Sequence, residues 1–308
     1  MLFTIFQESR KGSRKMNQDR VAHSYSRDSL IMVAADGMGG HAGGEIAAQI
    51  TVRILIERFQ NEAKPIIKNP LLFLHDTMMR AHAALGHYAE QFSLIETPRT
   101  TCVACVVQED KAHWAHVGDS RLYVFRRAQV IAQTKDHSKV QYLLDQGAIQ
   151  PEQAAKHPDR NKIFSCLGGF ADPAIDVSKR TQVRIGDIIL LCTDGLWAEF
   201  NATELARGLT YMPLLSAAPL LLDEAERRAL TDSDNLSLIT MRWGADDARD
   251  EAVPSRRSDT LSDGEFSTQM DQALTLTDPK VNNRDLTDEE IERAIDEIQS
   301  TIKRYGGK

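Results

Sequence analysis

The chain has 308 residues, of which 42% are hydrophobic and 26% charged, a composition typical of globular proteins and not of collagen-like or disordered chains. The formal net charge is −7, and all of it lies in the tail. Residues 245–308 carry 16 acidic and 9 basic residues, which leaves residues 1–244 balanced at 28 of each. A neutral body without a basic block argues against sequence-independent binding of nucleic acid, so no such partner is expected.

The longest apolar runs, such as 30–35, are far shorter than the roughly 20 residues of a membrane span. The first residues lack the basic segment, apolar core and cleavage site of a secretion signal. Four cysteines in a chain of this length do not make a disulfide framework, which suits a reducing compartment. We therefore expect a cytoplasmic monomer that does not bind membranes.

Short β-rich segments and longer helical segments alternate along the body of the chain. The strands come in runs joined by short turns, which favours antiparallel sheets with helices outside them over a parallel, doubly wound fold. The predicted strands are 29–35, 101–107, 112–117, 121–125, 187–192 and 235–243, with a short one after Asp19. The predicted helices are 44–59, 70–92, 136–147 and 213–230.

The composition changes near Gly244. Residues 245–286 are rich in Asp, Ser, Thr and Arg, with single large apolar residues too sparse to build a core, and they are predicted to be a disordered acidic linker. A capping-box pattern then precedes isoleucines spaced by three and four residues, which predicts an amphipathic helix over 287–305. A solvated helix and a helix that docks on a partner both fit this pattern.

Carboxylates stand at the ends of several predicted strands. Around Asp36, an apolar strand runs into the aspartate, then into a glycine-dense turn whose Gly37 carbonyl could also coordinate, then into a helix. A charge at the end of a buried strand is expected to be paired or to ligate a metal. Four further aspartates stand beside a turn glycine or directly before a strand: Asp19, Asp119, Asp194 and Asp234.

These five carboxylates could converge at one end of stacked sheets. No histidine or cysteine accompanies them at ligand spacing. An all-oxygen donor set favours hard, octahedral ions, so Mg²⁺ or Mn²⁺ is expected rather than zinc.

Six motifs follow one another along the body of the chain. They are Arg14 with Asp19, the run from Asp36 to His41, Gly118 to Arg121, Thr134 to Ser138, Thr193 to Leu196, and Asp234 with Asn235. Together they resemble the metal-dependent Ser/Thr protein phosphatases of the PPM (protein phosphatase 2C) family, bacterial type, over roughly residues 3–243. Each motif alone is weak, but the ordered set is specific.

The resemblance implies an α+β fold over 1–244, a four-layer α-β-β-α sandwich of two antiparallel sheets flanked by helices. It also implies a dinuclear metal site at one edge. Asp36 would bridge the two ions, and the Gly37 carbonyl would complete one shell. Asp194 and Asp234 would hold one ion, with Asp19 contributing directly or through water.

Two more roles follow from the resemblance. Asp119 would form a third, weaker metal site with Asp194, and Arg14 would clamp the substrate phosphate through charge-assisted hydrogen bonds. Water activated between two Mn²⁺ or Mg²⁺ ions would attack phosphorus directly. The implied function is hydrolysis of phosphoserine and phosphothreonine on proteins, reversing a bacterial Ser/Thr kinase. The alternatives are a phosphatase devoted to one regulatory partner and a catalytically inactive binding module.

The chain departs from the family pattern at two positions. Met38 stands where many eukaryotic relatives carry a histidine that is a proposed general acid, so water on a metal is expected to protonate the leaving group. Gln18 replaces the usual acidic residue before Asp19, which weakens its expected role as a ligand. His41 follows two glycines further on and is expected to be structural.

Other residues have simpler readings. Cys102 and Cys105 are predicted to pack in a buried strand instead of binding zinc, and Trp197 to pack in the core or at its rim. Arg121 is expected to support the Asp119 turn by a salt bridge. Asp136 is predicted to cap a helix, with an approach to the active site as the alternative.

Overall fold

Two antiparallel sheets form the centre of the computed structural model, which describes residues 1–38, 43–154, 157–244, 256–258, 261–262 and 264–270. The strands are β1 (Leu2–Arg10), β2 (Asp19–Tyr25), β3 (Ser29–Met38), β4 (Arg99–Thr100), β5 (Cys102–Gln108), β6 (Lys111–Val117), β7 (Arg121–Arg126), β8 (Gln129–Gln133), β9 (Asp176–Val177), β10 (Thr181–Gln182), β11 (Ile188–Cys192), β12 (Leu236–Trp243), β13 (Arg256–Arg257) and β14 (Ser267–Met270). The helices are α1 (Gly44–Glu62), α2 (Pro70–Gln91), α3 (Lys139–Asp145), α4 (Pro151–Ala154), α5 (Asp194–Trp197), α6 (Ala202–Thr210) and α7 (Leu214–Ala229).

The first sheet has six strands in the order β13-β1-β12-β11-β7-β8. The second has eight: six lie in the order β10-β6-β5-β3-β2-β14, while β4 pairs with β3 and β9 pairs with β6. Every pairing among the described strands is antiparallel, as the runs of strands with short connections predict.

Three buried clusters separate four layers. Along β3, Ile31 and Val33 face α1 and α2, whereas Leu30 and Met32 face the other sheet. This alternation follows from the two-residue period of a strand and shows that both faces of the central strands are buried. On the far side, the outer face of the first sheet packs against α6 and α7. The predicted α+β, four-layer α-β-β-α sandwich is confirmed.

Strand register brings the chemistry-bearing residues to one end of the two sheets. Asp19 opens β2 and lies opposite Asp36 on β3. In the other sheet, Asp119 precedes β7, Asp194 follows β11 and Asp234 precedes β12, and these three strands are neighbours. The five aspartates therefore belong to a single edge of the sandwich.

Several elements differ from the sequence prediction. Strands β1 and β8 and helix α6 were not predicted, and α3 begins three residues later than expected. The N-cap of α3 is Ser138, whose hydroxyl accepts a hydrogen bond from the N–H of Gln141 at 3.2 Å. The prediction that Asp136 caps this helix is therefore wrong.

Two described parts of the predicted linker are ordered, which corrects the expectation of disorder for those residues. Arg256–Arg257 pairs with β1, and Ser267–Met270 pairs with β2, so each sheet gains an edge strand. The Ser258 hydroxyl donates to the Arg27 carbonyl at 2.6 Å, and the Phe266 ring meets Phe59 edge-on with centroids 5.9 Å apart. A few well-placed apolar residues suffice here because the core that receives them already exists. The helix predicted over 287–305 lies outside the described residues.

Within the described part of the chain, no helix combines the length and the apolar character needed to cross a membrane.

Candidate metal centre

An open cleft of about 510 Å³ lies at the edge where the aspartates meet. Its walls come from the loop before β2, the end of β3, the start of α1, the turns before β7, α5 and β12, and the segment after α4. The residues that line it are Arg14, Lys15, Met16, Gln18, Asp36, Gly37, Met38, Glu45, Asp119, Asn161, Ile163, Asp194, Asp234 and Asn235. Asp19 is buried beside this cleft, with 1% of its surface exposed.

Asp36 is electrostatically central to the cluster. Burial raises the pKa of its carboxyl well above the usual range, and the negative charges of Asp19, Asp194, Asp119 and Asp234 raise it further. Because the charges of all four other aspartates act on Asp36, its carboxylate lies where it could contact more than one cation. The bridging role predicted for Asp36 is compatible with this position.

Three other carboxyls of the cluster show the same effect, with burial as the largest cause. The pKa of Asp194 is raised to about 6, with Asp234 as the next cause. The pKa of Asp19 is raised to about 7, although hydrogen bonds from Ser237 and Thr193 oppose the shift. The pKa of Asp119 is raised to about 8, with Asp194 as the next cause. Arg14 and Arg121 offset part of these shifts, so the raised pKa values mark a site whose negative charge is not fully balanced.

Asp19 supplies a direct test of whether a cation fits. Its Oδ2 accepts a 2.7 Å hydrogen bond from the Thr193 hydroxyl, whereas its Oδ1 is buried and has no hydrogen-bond partner. A buried carboxylate oxygen without a partner is costly unless a cation or a water fills the gap. The carboxylate donors and this orphaned oxygen fit a hard divalent ion.

Arg14 lies at the mouth of the cleft. Its Nη2 donates to Asp234 Oδ2 at 2.6 Å, and 58% of its side chain is exposed. The carboxylate pairing holds the guanidinium over the cluster, while the exposed remainder can meet an incoming anion. The phosphate-clamp role predicted for Arg14 is compatible with this position.

The backbone at Gly37 is closely packed. A Cβ atom at this position would lie 2.0 Å from the carbonyl oxygen of Gly44, so only glycine fits. The Gly37 N–H donates to the Gln18 carbonyl at 3.1 Å, which anchors the end of β3 to the loop before β2. Gly37 and the adjoining Met38 both line the cleft, whereas His41 lies outside the described residues.

Glu45 is a carboxylate of the cleft wall that the sequence reasoning missed. It stands in the first turn of α1 and its Oε2 accepts from the Gln18 amide at 3.3 Å. The Gln18 amide is thus hydrogen-bonded to a neighbouring carboxylate, in line with the weakened ligand role expected for Gln18. An acidic residue just after the glycine-rich loop was the available signal.

Asn235 is a second residue whose role was not foreseen. Its amide donates to the carbonyls of Lys11 and Met16 at 2.8 and 2.9 Å, and its Oδ1 accepts from the Gln18 N–H at 2.9 Å. One side chain thereby ties both ends of the Arg14 loop to the strand that follows Asp234. Its position next to Asp234 was the one sequence signal.

Arg121 forms its salt bridge with Asp136. Two hydrogen bonds of 2.7 and 2.8 Å join the guanidinium to this carboxylate, and the guanidinium also stacks 3.5 Å from the Trp197 ring centre. The Trp197 indole N–H donates to the Asp119 carbonyl at 2.9 Å. Trp197 thus does more than pack, and Arg121 supports the Asp119 turn through it.

Cys102 and Cys105 are buried in β5 and have free thiols. Burial raises the pKa of both thiols. The prediction that they pack in the strand is confirmed, since a buried thiol with a raised pKa is a poor nucleophile and a poor metal ligand.

A larger cavity of about 960 Å³ lies at the opposite end of the sheets, between Asp28 and Gly244. Pro65, Ile185 and Trp243 contribute to its walls, and none of the predicted ligands does. Cavity size alone would therefore point away from the chemistry, and we place the functional site at the carboxylate cleft.

The four-layer sandwich and the carboxylate centre at its edge define the class of protein. It is an α-β-β-α sandwich with a cluster of aspartates at one edge, a donor set that fits divalent metal ions. The protein phosphatase 2C family model matches residues 7–232, which is most of the chain.

Relatives and a solved structure agree with this class. The chain is 30% identical over 233 residues to the serine/threonine protein phosphatase PstP of Mycobacterium tuberculosis, covering 75% of this chain but 43% of that one, so it spans less than half of that relative. It is 30% identical over 213 residues to the serine/threonine phosphatase stp of Listeria monocytogenes, covering 68% of this chain and 84% of that one. The catalytic domain of PstP in complex with two manganese ions superposes with a TM-score of 0.66 at 28% identity, covering 78% of this chain and 98% of that one.

The chain belongs to the protein phosphatase 2C family. The resemblance inferred from the six motifs is confirmed.

Proposed function

We propose that this protein hydrolyses phosphoserine and phosphothreonine on proteins, using Mn²⁺ or Mg²⁺ held by the carboxylate cleft. The convergence of five aspartates and one arginine at a single open edge carries this proposal. The names of the Listeria and Mycobacterium relatives, and the two manganese ions bound to PstP, support it.

The donors divide by position. Asp36 would bridge two ions, and the Gly37 carbonyl would complete the shell of one. Asp194 and Asp234 would hold one ion, with help from Asp19. When bound, such ions activate water for in-line attack and neutralise the phosphoryl oxygens. The Asp19 oxygen that has no partner in the described structure is satisfied in this arrangement.

Asp119 and Asp194 would hold a third, weaker cation. Burial is the largest cause of the raised pKa of Asp119, and the negative charge of Asp194 is the next. Their pairing at one wall of the cleft makes this the natural place for a cation that binds more weakly than the two held by Asp36.

Arg14 would bind the phosphate of the substrate. Its ion pair with Asp234 keeps the guanidinium near the cluster, and bidentate hydrogen bonds to phosphate then orient the phosphorus toward the carboxylates. Met38 lines the same cleft but carries no proton to give, so the proton of the leaving serine or threonine oxygen would come from a water held in the cleft.

The partners follow from this reaction. The substrates are phosphoproteins, the opposing enzyme is a protein Ser/Thr kinase, and the catalyst acts as a cytoplasmic monomer. The acidic tail is expected to dock on a partner protein, and residues beyond Met270 are expected to be dispensable for the chemistry because the described site is built from residues 14–235.

A phosphopeptide assay tests the function. Peptides of matched sequence carrying phosphoserine, phosphothreonine or phosphotyrosine are incubated with the full chain and Mn²⁺, with Asp36→Asn as the matched control. We expect release of phosphate from the first two peptides and none from any peptide with Asp36→Asn. Failure of the wild-type chain on every serine and threonine peptide would favour a single-partner phosphatase or an inactive module.

A further inference from the structure

The turn that carries Asp119 depends on a glycine with unusual geometry. Gly118 has a φ of +96°, and a Cβ there would lie 2.5 Å from the Thr101 methyl group. Glycine is also the residue with the greatest backbone freedom, so the direction of the next side chain must be fixed by contacts around the turn. Thr101 supplies one, through a 2.7 Å hydrogen bond between its hydroxyl and that of Ser120.

His137 contacts the peptide groups on both sides of Gly118. Its backbone N–H donates to the Gly118 carbonyl at 2.9 Å, and its ring Nδ1 accepts from the Gly118 N–H at 3.3 Å. The ring is 6% exposed and is stacked between His116 and Phe164, with centroid distances of 4.7 and 5.7 Å. A buried, stacked ring is a rigid support.

The contacts of the His137 ring define which of its nitrogens carries the proton. Because Nδ1 accepts the Gly118 N–H, the ring proton must lie on Nε2, and Nε2 faces Asp176 Oδ2 at 3.4 Å. His116 is fixed in a similar way, since its Nε2 lies 2.7 Å from the Lys135 carbonyl, an acceptor. These contacts hold both rings in a defined orientation.

The same three side chains, His116, His137 and Asp176, lie close enough to suggest a metal site, since one ligand atom of each falls within 4.8 Å of the others. The hydrogen bonds oppose that reading. With Nδ1 accepting from Gly118 and Nε2 protonated toward Asp176, His137 has no free lone pair for a metal. The cluster is better described as a hydrogen-bonded support.

We propose that His137 is a positioning residue that fixes the direction of the Asp119 carboxylate and thereby the affinity of the cation site formed with Asp194. The backbone N–H of His137 holds the peptide after Gly118, and its ring holds the peptide before it. Loss of the ring contact therefore frees the peptide before Gly118 and loosens the turn that carries Asp119. This inference rests on the proposed function, because it needs Asp119 to be a cation ligand.

Two variants separate the ring contacts. His137→Asn places an amide oxygen near the position of Nδ1 and keeps an acceptor for the Gly118 N–H. His137→Gln extends its amide toward the position of Nε2 and Asp176, and leaves the Gly118 N–H without an acceptor. Both keep a polar side chain of similar size, which guards against loss of the fold.

The control is His82→Leu. The His82 Nδ1 accepts from the Gly168 N–H at 3.1 Å, which is the same kind of bond at a different glycine. Asp119→Asn is the reference for loss of the weak cation site itself.

Mn²⁺ binding to each full-length variant is measured by calorimetry after removal of bound metal, and kcat and KM follow. We expect Asp119→Asn to lose the weakest Mn²⁺ site, His137→Gln to weaken it at least tenfold, and His137→Asn and His82→Leu to stay within threefold of the wild type. The tighter sites should be unchanged in all the histidine variants.

Two results would overturn this inference. If His137→Gln binds Mn²⁺ as the wild type does while Asp119→Asn loses the weak site, His137 does not position Asp119 and the proposed function stands. If Asp119→Asn keeps every site, the proposed role of Asp119 fails, and the positioning role fails with it.

Discussion

At the scale of single residues, charge is unevenly balanced in the cleft. Asp36, Asp119, Asp194, Asp234 and the buried Asp19 meet two cationic side chains of the described cleft wall, those of Arg14 and Lys15. Holding like charges together costs folding free energy whenever no cation is bound. The site is thus built for binding at the expense of stability.

This cost predicts an unusual pH dependence for metal-stripped protein. The pKa of Asp194 is raised to about 6, that of Asp19 to about 7 and that of Asp119 to about 8, so the folded state holds protons that the unfolded chain releases near pH 4. The stability these groups contribute is full below about pH 4 and is lost as the pH rises through 6 to 8. Melting temperature in chelator should therefore be lower at a pH of about 8.5 than at about 5.5, beyond the raised values.

Addition of Mn²⁺ should remove most of that difference, because the ions replace the protons. The Asp119→Asn variant is the control and should show a smaller fall with pH than the wild type. A stripped protein that melts at the same or a higher temperature at the alkaline end would contradict the electrostatic description.

Arg14 gives a second prediction. Arg14→Ala should raise KM for phosphopeptides by about 10- to 150-fold, which corresponds to the roughly 1.5–3 kcal/mol of a hydrogen bond to a charged group. The guanidinium is more than half exposed, so the fold should not depend on it. Steady-state kinetics on a phosphothreonine peptide measure the effect, with Arg14→Lys as the variant that keeps the charge but not the fork. An unchanged KM would show that Arg14 does not bind the substrate phosphate.

At the scale of elements, the segment after Gly244 contributes to the fold. Strand β13 covers the edge of β1, strand β14 covers the edge of β2, and Phe266 packs on the core beneath α1. Sheet edges left open are prone to pair with other chains. The two strands therefore keep the sheet edges from pairing with other chains, and they also stabilise the fold.

Two truncations test this. Ending the chain after Gly244 should lower the free energy of unfolding by about 1–2 kcal/mol, since full burial of a phenylalanine is worth about 1.5–3 kcal/mol and Phe266 is partly buried. Ending it after Met270 should leave stability and kcat on small phosphopeptides nearly unchanged. Denaturant unfolding of both chains, with Phe266→Ala in the full chain as a control, measures the difference. Equal stability of the two truncated chains would show that the edge strands are dispensable.

The elements also show how far sequence alone could lead. The central strands β3, β5 and β11 are continuous runs of apolar residues, because both of their faces are buried, and such runs are visible in the sequence. Strand β14 consists of Ser, Thr, Gln and Met and so carries no apolar pattern, while the apolar run of the largely exposed β8 is only the three residues Val130 to Ala132. Edge strands form because a partner strand is present, which is tertiary information.

The site divides in the same way. The aspartates could be predicted because each stands next to a turn glycine or a strand end, where the backbone itself signals the position. The contacts of Asn235 with Lys11 and Met16, and of Trp197 with Asp119, join segments far apart in the chain. No local pattern encodes such pairs.

At the scale of the whole molecule, the two sheets act as one frame. The second sheet contributes Asp19 and Asp36, and the first contributes Asp119, Asp194 and Asp234 from the ends of neighbouring strands. The buried layer between the sheets fixes the distance between these two groups of carboxylates. Cation affinity is thus a property of the packed sandwich and not of any one motif.

The most direct test of the metal-dependent mechanism is a titration of Mn²⁺ into metal-stripped protein, with binding and phosphatase activity followed on the same samples. We expect no activity in excess chelator and activity that rises with occupancy of two tight sites. Asp36→Asn should lose both sites and turnover. Zinc should substitute poorly, because its tetrahedral preference leaves donors of an octahedral site unused. Full activity in excess chelator, or an Asp36→Asn variant that binds Mn²⁺ and turns over like the wild type, would contradict it.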